Sequence, residues 1–196
     1  VDSLAGGGFV VSWLADRNND GDPDTLVAQV LDASGNPSGP AVGIKPPESD
    51  VGILSLAIDP LTGGGYAVAL LVENGLFVQR VSAAGELLGQ PTRADTDEYP
   101  APNDEGYRVD LDARADGGFS VNWLIDSDED YYPDILATRT FNSQGKTQGD
   151  VIALRPEGNA KAIADLAVDP LTGGGYAVAY LVNAPDRYVS TTTTAT

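Results

Sequence analysis

Apolar and polar residues alternate along short stretches of this chain and never settle into a helical period. Phe9, Val11 and Trp13 alternate with Val10, Ser12 and Leu14, and Tyr66-Ala67-Val68-Ala69-Leu70-Leu71-Val72 is a continuous apolar run of strand length. Val, Ile and aromatic residues fill such runs, as strands favour. Asp59-Pro60-Leu61-Thr62-Gly63-Gly64 places Pro where its ring presets φ and Gly where a positive φ is needed. It predicts a hairpin joining Leu56-Ala57-Ile58 to Tyr66-Ala67-Val68. Ala33-Ser34-Gly35-Asn36-Pro37 and Ala83-Ala84-Gly85-Glu86 read as further turns, and no window carries an amphipathic helix. The chain reads as all-β.

The strands repeat. Asp59-Pro60-Leu61-Thr62-Gly63-Gly64-Gly65-Tyr66-Ala67-Val68-Ala69 recurs unchanged at Asp169–Ala179, and Gly7-Gly8-Phe9-Val10-Val11-Ser12-Trp13-Leu14 returns in altered form at Gly117–Leu124, both at an offset of 110. The 110-residue unit divides again, because Gly8-Phe9-Val10-Val11 aligns with Gly65-Tyr66-Ala67-Val68. Acidic insertions lengthen the first and third units and are missing from the second and fourth. The second unit contains four candidate strands, Ile53–Ile58, Gly65–Val72, Leu76–Ser82 and Leu87–Thr92. Tandem four-stranded antiparallel units of about 50 residues are β-propeller-like blades. A β-solenoid and a sandwich fit less well, since neither calls for four repeated antiparallel meanders. The expected organisation is a first blade pair over 1–97, a second over 98–190 and a Thr-rich tail or linker over 191–196.

Composition narrows the chemistry. With no Cys, His or Met, the chain has no disulfide, thiolate nucleophile, Ser-His-Asp triad or imidazole-bound zinc. Eleven basic against 29 acidic side chains give a net charge of −18, which repels phosphate backbones and anionic lipid, so nucleic-acid partners are not expected. No run of 18 apolar residues is present, so no membrane insertion by a helix is expected. No basic-then-apolar leader opens the sequence, and an export signal is expected to lie outside these residues.

The insertions are the strongest chemical signal. Asp16-Arg17-Asn18-Asn19-Asp20-Gly21-Asp22-Pro23-Asp24 and Asp126-Ser127-Asp128-Glu129-Asp130-Tyr131-Tyr132-Pro133-Asp134 both carry oxygen-bearing side chains at positions 1, 3, 5 and 9. A loop winding back on itself turns alternate side chains toward one ion, with a backbone carbonyl from position 7. Calcium takes six to eight oxygens at about 2.3–2.6 Å, and such a loop supplies them. The candidate ligands are Asp16, Asn18, Asp20, Asp22 and Asp24 in the first loop. In the second they are Asp126, Asp128, Asp130, Tyr132 and Asp134. Position 12 is Val27 or Ala137, so the bidentate Glu of an EF-hand is missing. The bland alternative is an acidic, solvated turn.

The first loop, with the apolar Thr25-Leu26-Val27-Ala28 that follows, resembles the calcium loop of FG-GAP/VCBS-type propeller blades. The surrounding Gly-Gly-Phe-Val-Val-Ser-Trp pattern is similar to repeats of secreted bacterial adhesins and RTX-type surface proteins. This resemblance implies a propeller-like fold, two structural Ca2+ sites, extracellular placement at a cell surface or in a secreted assembly, and an adhesive role. Tyr131 stands where the family has Gly, which implies a weaker or reshaped second site.

Other features carry less. Trp13 and Trp123 occupy equivalent strand positions, where blade-to-blade core packing is favoured over a sugar-stacking platform. Tyr131 and Tyr132 are adjacent on an acidic loop, so one ring is expected to be exposed. Asp95-Thr96-Asp97-Glu98-Tyr99-Pro100-Ala101-Pro102-Asn103-Asp104-Glu105 reads as a solvated connector. The Gly63 and Gly173 triplets lack the helix and Lys of a phosphate loop. Carboxylate pairs can run glycoside hydrolysis, but a catalytic pair should break the repeat, and none is evident; no enzyme is expected. The sequence-level expectation is therefore a calcium-stabilised structural or adhesive module, with calcium, and either glycans or other surface proteins, as partners and self-association open. A lectin-like propeller, a fibre subunit and a non-catalytic part of a polysaccharide-active enzyme are the alternatives. Chelation is expected to lower the melting temperature, and Asp20→Ala to remove most of the calcium-dependent gain; equal melting curves with and without chelator would contradict the paired loops as ion sites.

Overall fold

Each apolar run turns back on the one before it, so the backbone is a succession of antiparallel meanders. The computed structural model describes residues 1–47, 51–102, 108–130, 132–155, 163–171, 176–184 and 187–195. The first blade is β1 (Asp2–Ser3), β2 (Phe9–Ala15), β3 (Thr25–Leu31) and β4 (Val42–Ile44). The second is β5 (Ile53–Pro60), β6 (Tyr66–Val72), β7 (Gly75–Val81) and β8 (Leu87–Arg93). The third is β9 (Val109–Ala113), β10 (Phe119–Ile125), β11 (Ile135–Phe141) and β12 (Thr147–Leu154). The fourth, among the described residues, has three strands: β13 (Ile163–Pro170), β14 (Tyr176–Ala184) and β15 (Arg187–Ala195). Strands pair in chain order within every sheet, and the register repeats: Phe9 faces Leu31, Tyr66 faces Val81 and Phe119 faces Phe141. The architecture is all-β and propeller-like.

Two local devices recur. The turn from the third to the fourth strand begins at Asp32, Ser82 or Asn142, whose side-chain oxygen accepts the N–H groups two and four residues on. The distances are 2.8 and 2.8 Å, 3.3 and 3.0 Å, and 2.9 and 3.0 Å. The residue before each second strand is Gly for a steric reason. A Cβ on Gly8, Gly65 or Gly118 would stand 2.2 Å from the carbonyl oxygen of Leu31, Val81 or Phe141. The backbones of the second and third strands approach too closely there for any side chain.

Blades stack face to face. Val10, Leu26, Ala28 and Val30 of the first meet Tyr66, Val68 and Leu70 of the second. The opposite face of the second, with Ala67, Ala69 and Leu71, covers Phe119, Val121 and Trp123 of the third. Each large side chain buried this way stabilises by about 1.5–3 kcal/mol. Leu124 and Leu136 of the third blade meet Val168 and Val178 of the fourth. The first strands β1, β5, β9 and β13 lie side by side along the inner edge of this stack.

Three expectations change. The Thr-rich run 191–194 is not a tail but the middle of β15, paired with β14, as suits β-branched residues. The connector is not solvated where it starts. Asp95 is buried, with Arg93 Nε and Nη2 on its two oxygens at 2.8 and 2.9 Å and the Leu76 N–H at 3.1 Å. Its Asn103, Asp104 and Glu105 lie outside the described residues. Trp123 is wholly buried, but its repeat partner Trp13 is 47% exposed. The steric account of the glycine position predicts that Gly65→Ala costs about 2 kcal/mol or more in chemical denaturation, whereas Gly63→Ala, with open space around it, stays within about 0.5 kcal/mol.

Candidate functional site

The two acidic loops sit at the β2–β3 and β10–β11 connections, and each is drawn into turns by its own side chains. In the first, Asp16 accepts the N–H groups of Asn19 and Gly21 at 2.7 and 3.0 Å. Asn18 accepts the Asp20 N–H at 3.2 Å and donates to the Asp20 carboxylate at 2.7 Å, and Asp20 accepts the Asp22 N–H at 2.9 Å. Asn19 and Glu129, equivalent residues, take φ of 61° and 59°, a left-handed kink that bends each loop inward. In the second loop the carboxylates of Asp126, Asp128 and Asp130 offer oxygens within 4.8 Å of one another. The Asp128 carboxyl is raised above its ordinary value, by desolvation first and then by the charges of Asp130, Asp134 and Asp126. Tyr132 donates its N–H to Asp130 at 3.0 Å and its ring is 55% exposed; Tyr131 lies outside the described residues.

Position 9 is engaged differently from the rest. Asp24 is buried and bonded to the Thr25 hydroxyl at 2.6 Å and to Lys45 at 3.4 Å, with Thr25 foremost in holding its carboxyl below the ordinary value. Asp134 accepts from Ser127 N and Oγ at 2.9 and 2.8 Å and pairs with Arg155. Lys45 and Arg155 each follow the fourth strand of their blade. The residue before that aspartate, Pro23 or Pro133, gives its carbonyl to the N–H of Ile53 or Ile163, which opens the next blade, at 2.7 and 2.6 Å. Each acidic loop therefore ties a long blade to the short blade after it.

A second cluster lies on the inner strands. Asp2, Asp59, Asp112 and Asp169 fall at one repeat position, at spacings of 57, 53 and 57 residues. Each stands at or next to the end of the first strand of its blade. Stacking the blades brings these like charges together: Asp59 feels Asp2 and Asp110, and Asp112 feels Asp110, Asp169 and Asp59. Asp110 has no counterpart among them, because the equivalent residues are Ala57 and Ala167.

The environments of these carboxylates differ. Asp59 accepts the Ala113 N–H of the neighbouring blade at 2.6 Å, and Asp110 accepts the N–H groups of Leu111 and Val168. Burial pushes both above the ordinary carboxylate value, and these amides oppose the shift. Among the described residues Asp112 has no such amide. The residue matching Ala113 on β13 is Pro170, which has no N–H to give. Its partner is Asn122 Nδ2 at 3.1 Å, and Asn122 Oδ1 accepts the Thr138 hydroxyl at 2.9 Å, which fixes the amide orientation. Burial first, then the charges of Asp110, Asp169 and Asp59, push Asp112 up to about 7.

Polar residues continue from this cluster into the third blade. Ser120, Asn122 and Thr138 are buried where the first blade has Val10, Ser12 and Ala28. Ser120 faces Asp112 directly across the β9–β10 pair, and its buried hydroxyl has no hydrogen-bond partner among the described residues. Nothing about hydrophobic patterning requires these substitutions. The inner aspartates were legible as a fourfold recurrence, and Asp110 as a departure from it, once the first strands were aligned.

No protein-family model matches the chain, and no curated protein matches it. Among solved structures it is similar to the GH43 BlXynB protein from Bacillus licheniformis, at 12% identity and a TM-score of 0.47. It is also similar to an endo-arabinase from Bacteroides thetaiotaomicron, at 11% and 0.44, and to a GH43 endo-arabinanase from Bacillus licheniformis, at 15% and 0.44. The matches cover 98, 97 and 98% of this chain and 39, 72 and 70% of those chains, so the chain spans well under half of the first. At these identities the likeness is one of fold. The expectation that the chain is no enzyme is corrected. It assumed that no carboxylate breaks the repeat, whereas Asp110 does.

The pH consequence follows from linkage. Asp112 ionises near 4 when unfolded and near 7 when folded, so between those values the folded state holds the extra proton. Its contribution is therefore fully present below the unfolded value and is lost as pH rises through 7. Asp112→Asn is predicted to leave stability at pH 4 nearly unchanged and to raise it at pH 8 by something on the order of 2 kcal/mol in urea titrations. An equal change at both pH values would contradict the assignment.

Proposed function

We propose that this chain is a carbohydrate-handling propeller module whose inner-strand aspartates cleave glycosidic bonds. One observation carries the reading: Asp112 keeps its proton to about pH 7 while Asp110, which breaks the repeat, sits two residues away on the same strand face and is supported by two backbone amides. Residues two apart on a strand stand about 6.6 Å apart, within the separation that carboxylate pairs span in glycoside hydrolysis. Asp112 would donate its proton to the leaving oxygen as the glycosidic bond breaks, and Asp110 would take a proton from the water that bonds to the opposite face of the reacting carbon. Asn122 orients Asp112, and Thr138 orients Asn122. Burial foremost, with the charges of Asp110, Asp169 and Asp59 after it, raises the Asp112 carboxyl.

The acidic loops complete the reading as structural calcium sites. Asp126, Asp128 and Asp130 already gather their oxygens, and an ion among them would relieve the repulsion that adds to desolvation in raising Asp128. Because Pro23 and Pro133 bind the following blade, calcium there would hold long and short blades in register. Millimolar calcium outside cells suits such loops, and placement in a secreted or surface protein belongs to the same proposal.

The experiment is reducing-end release from a panel of neutral and acidic polysaccharides in calcium buffer. Turnover is expected to fall above about pH 7, where Asp112 ionises, and to drop at least about 100-fold in Asp112→Asn and Asp110→Asn. Asp20→Ala should lower the melting temperature yet keep turnover below it. Absence of turnover on every glycan by a folded, calcium-loaded chain, or wild-type rates in the aspartate variants, would overturn the reading.

A further inference from the structure

The two ends of the blade stack carry matching surfaces. Phe9, Val11 and Trp13 form a stripe on the outer face of the first blade, and Trp13 is among the most exposed large apolar side chains. Their repeat equivalents Phe119, Val121 and Trp123 form the same stripe on the third blade and are completely buried. The second blade buries them, with Ala57, Ala67 and Ala69 packed against that face. It also contributes Asp59, which accepts the Ala113 N–H at 2.6 Å and pins the two inner strands together.

The fourth blade repeats the covering residues without change. Ala167, Asp169, Ala177 and Ala179 match Ala57, Asp59, Ala67 and Ala69 at the 110-residue offset. The register places Ala167 opposite Ala179 and Asp169 opposite Ala177, so the four share one face. Ala167, Asp169 and Ala179 are exposed. On the first blade the residue matching Ala113 is Ser3, which is exposed and retains its N–H. One end of the molecule thus displays the cover and the other the stripe that the same cover buries internally.

We infer that a second copy of this chain docks its fourth blade on the first blade of its neighbour, reproducing the contact between the second and third blades. Ala167, Ala177 and Ala179 of one copy close over Phe9, Val11 and Trp13 of the other, and Asp169 accepts the Ser3 N–H as Asp59 accepts that of Ala113. The surfaces differ, so the contact is heterologous and runs head to tail, giving a closed ring if its rotation closes and a filament if it does not. Removing Trp13 from water supplies the apolar drive, and the Asp169 hydrogen bond sets the register.

Sedimentation velocity across a concentration series tests this, with emission of the Trp123→Phe variant reporting Trp13 alone. Mass should rise with concentration while the Trp13 emission shifts to the blue. Trp13→Arg spoils one surface and Ala179→Arg the other, so each variant alone should be monomeric with an unchanged circular dichroism spectrum. Mixed in equal amounts, they should form a dimer through the one intact contact. A wild-type chain that stays monomeric at every concentration overturns the inference. So do variants that still assemble alone, or a mixture that does not pair.

Discussion

Stacking four meanders face to face forces their first strands together, so whatever residue recurs at the end of those strands meets its own copies. Here that residue is aspartate, at positions 2, 59, 112 and 169. The fold fixes the convergence, and the chemistry then depends on how each copy is compensated. Asp59 has a backbone amide from the next blade. Asp112 meets a proline at the matching position and relies on one side-chain amide, so its proton stays. Copies of one repeated residue are therefore compensated differently by their neighbours.

The same repeat explains the division of labour along the blades. Hydrophobic faces between the first, second and third blades are largely apolar, with Gln79 a buried polar residue on the face between the first two. The face of the third blade toward the fourth instead buries Ser120, Asn122 and Thr138 alongside Leu124 and Leu136. Burying three polar side chains costs stability unless each is bonded, and two of them are, to one another and to Asp112. The acidic loops lie at the other end of the strands from these aspartates, since β2 and β10 run antiparallel to β1 and β9. Lys45 and Arg155 neutralise the last aspartate of each loop, and in the second loop Asp126, Asp128 and Asp130 keep oxygens within 4.8 Å of one another. Loop and inner cluster therefore act separately, one on blade order and the other on protons.

Much of this was legible in the residues. Strand positions, hairpins and the blade count follow from period-two runs, Gly-Gly-aromatic turns and the 110-residue offset, because local geometry demands those residues wherever they fall. The gathering of carboxylates at positions 1, 3 and 5 of the second insertion was legible for the same reason. The cations on Asp24 and Asp134 were not, since Lys45 and Arg155 lie about 20 residues away along the chain and meet the loops only after the fourth strand pairs. Nor was the exposure of Trp13. Pattern alone assigns it to a core, and only the stacking shows that its face lacks a cover. The network of Asp112, Asn122 and Thr138 spans three strands, and pairwise repeats conceal it until the register is known.

The central claim is that burial, reinforced by neighbouring carboxylates on the inner strands, keeps Asp112 protonated close to neutrality. Carbon-13 NMR titration of the aspartate side-chain carboxyls, with the Asp112 signal identified by its loss in Asp112→Asn, tests it most directly. The account predicts a midpoint near 7 for that resonance, well above those of the loop-closing Asp24 and the turn residue Asp32. A midpoint near 4, the value of an aspartate in water, would contradict it.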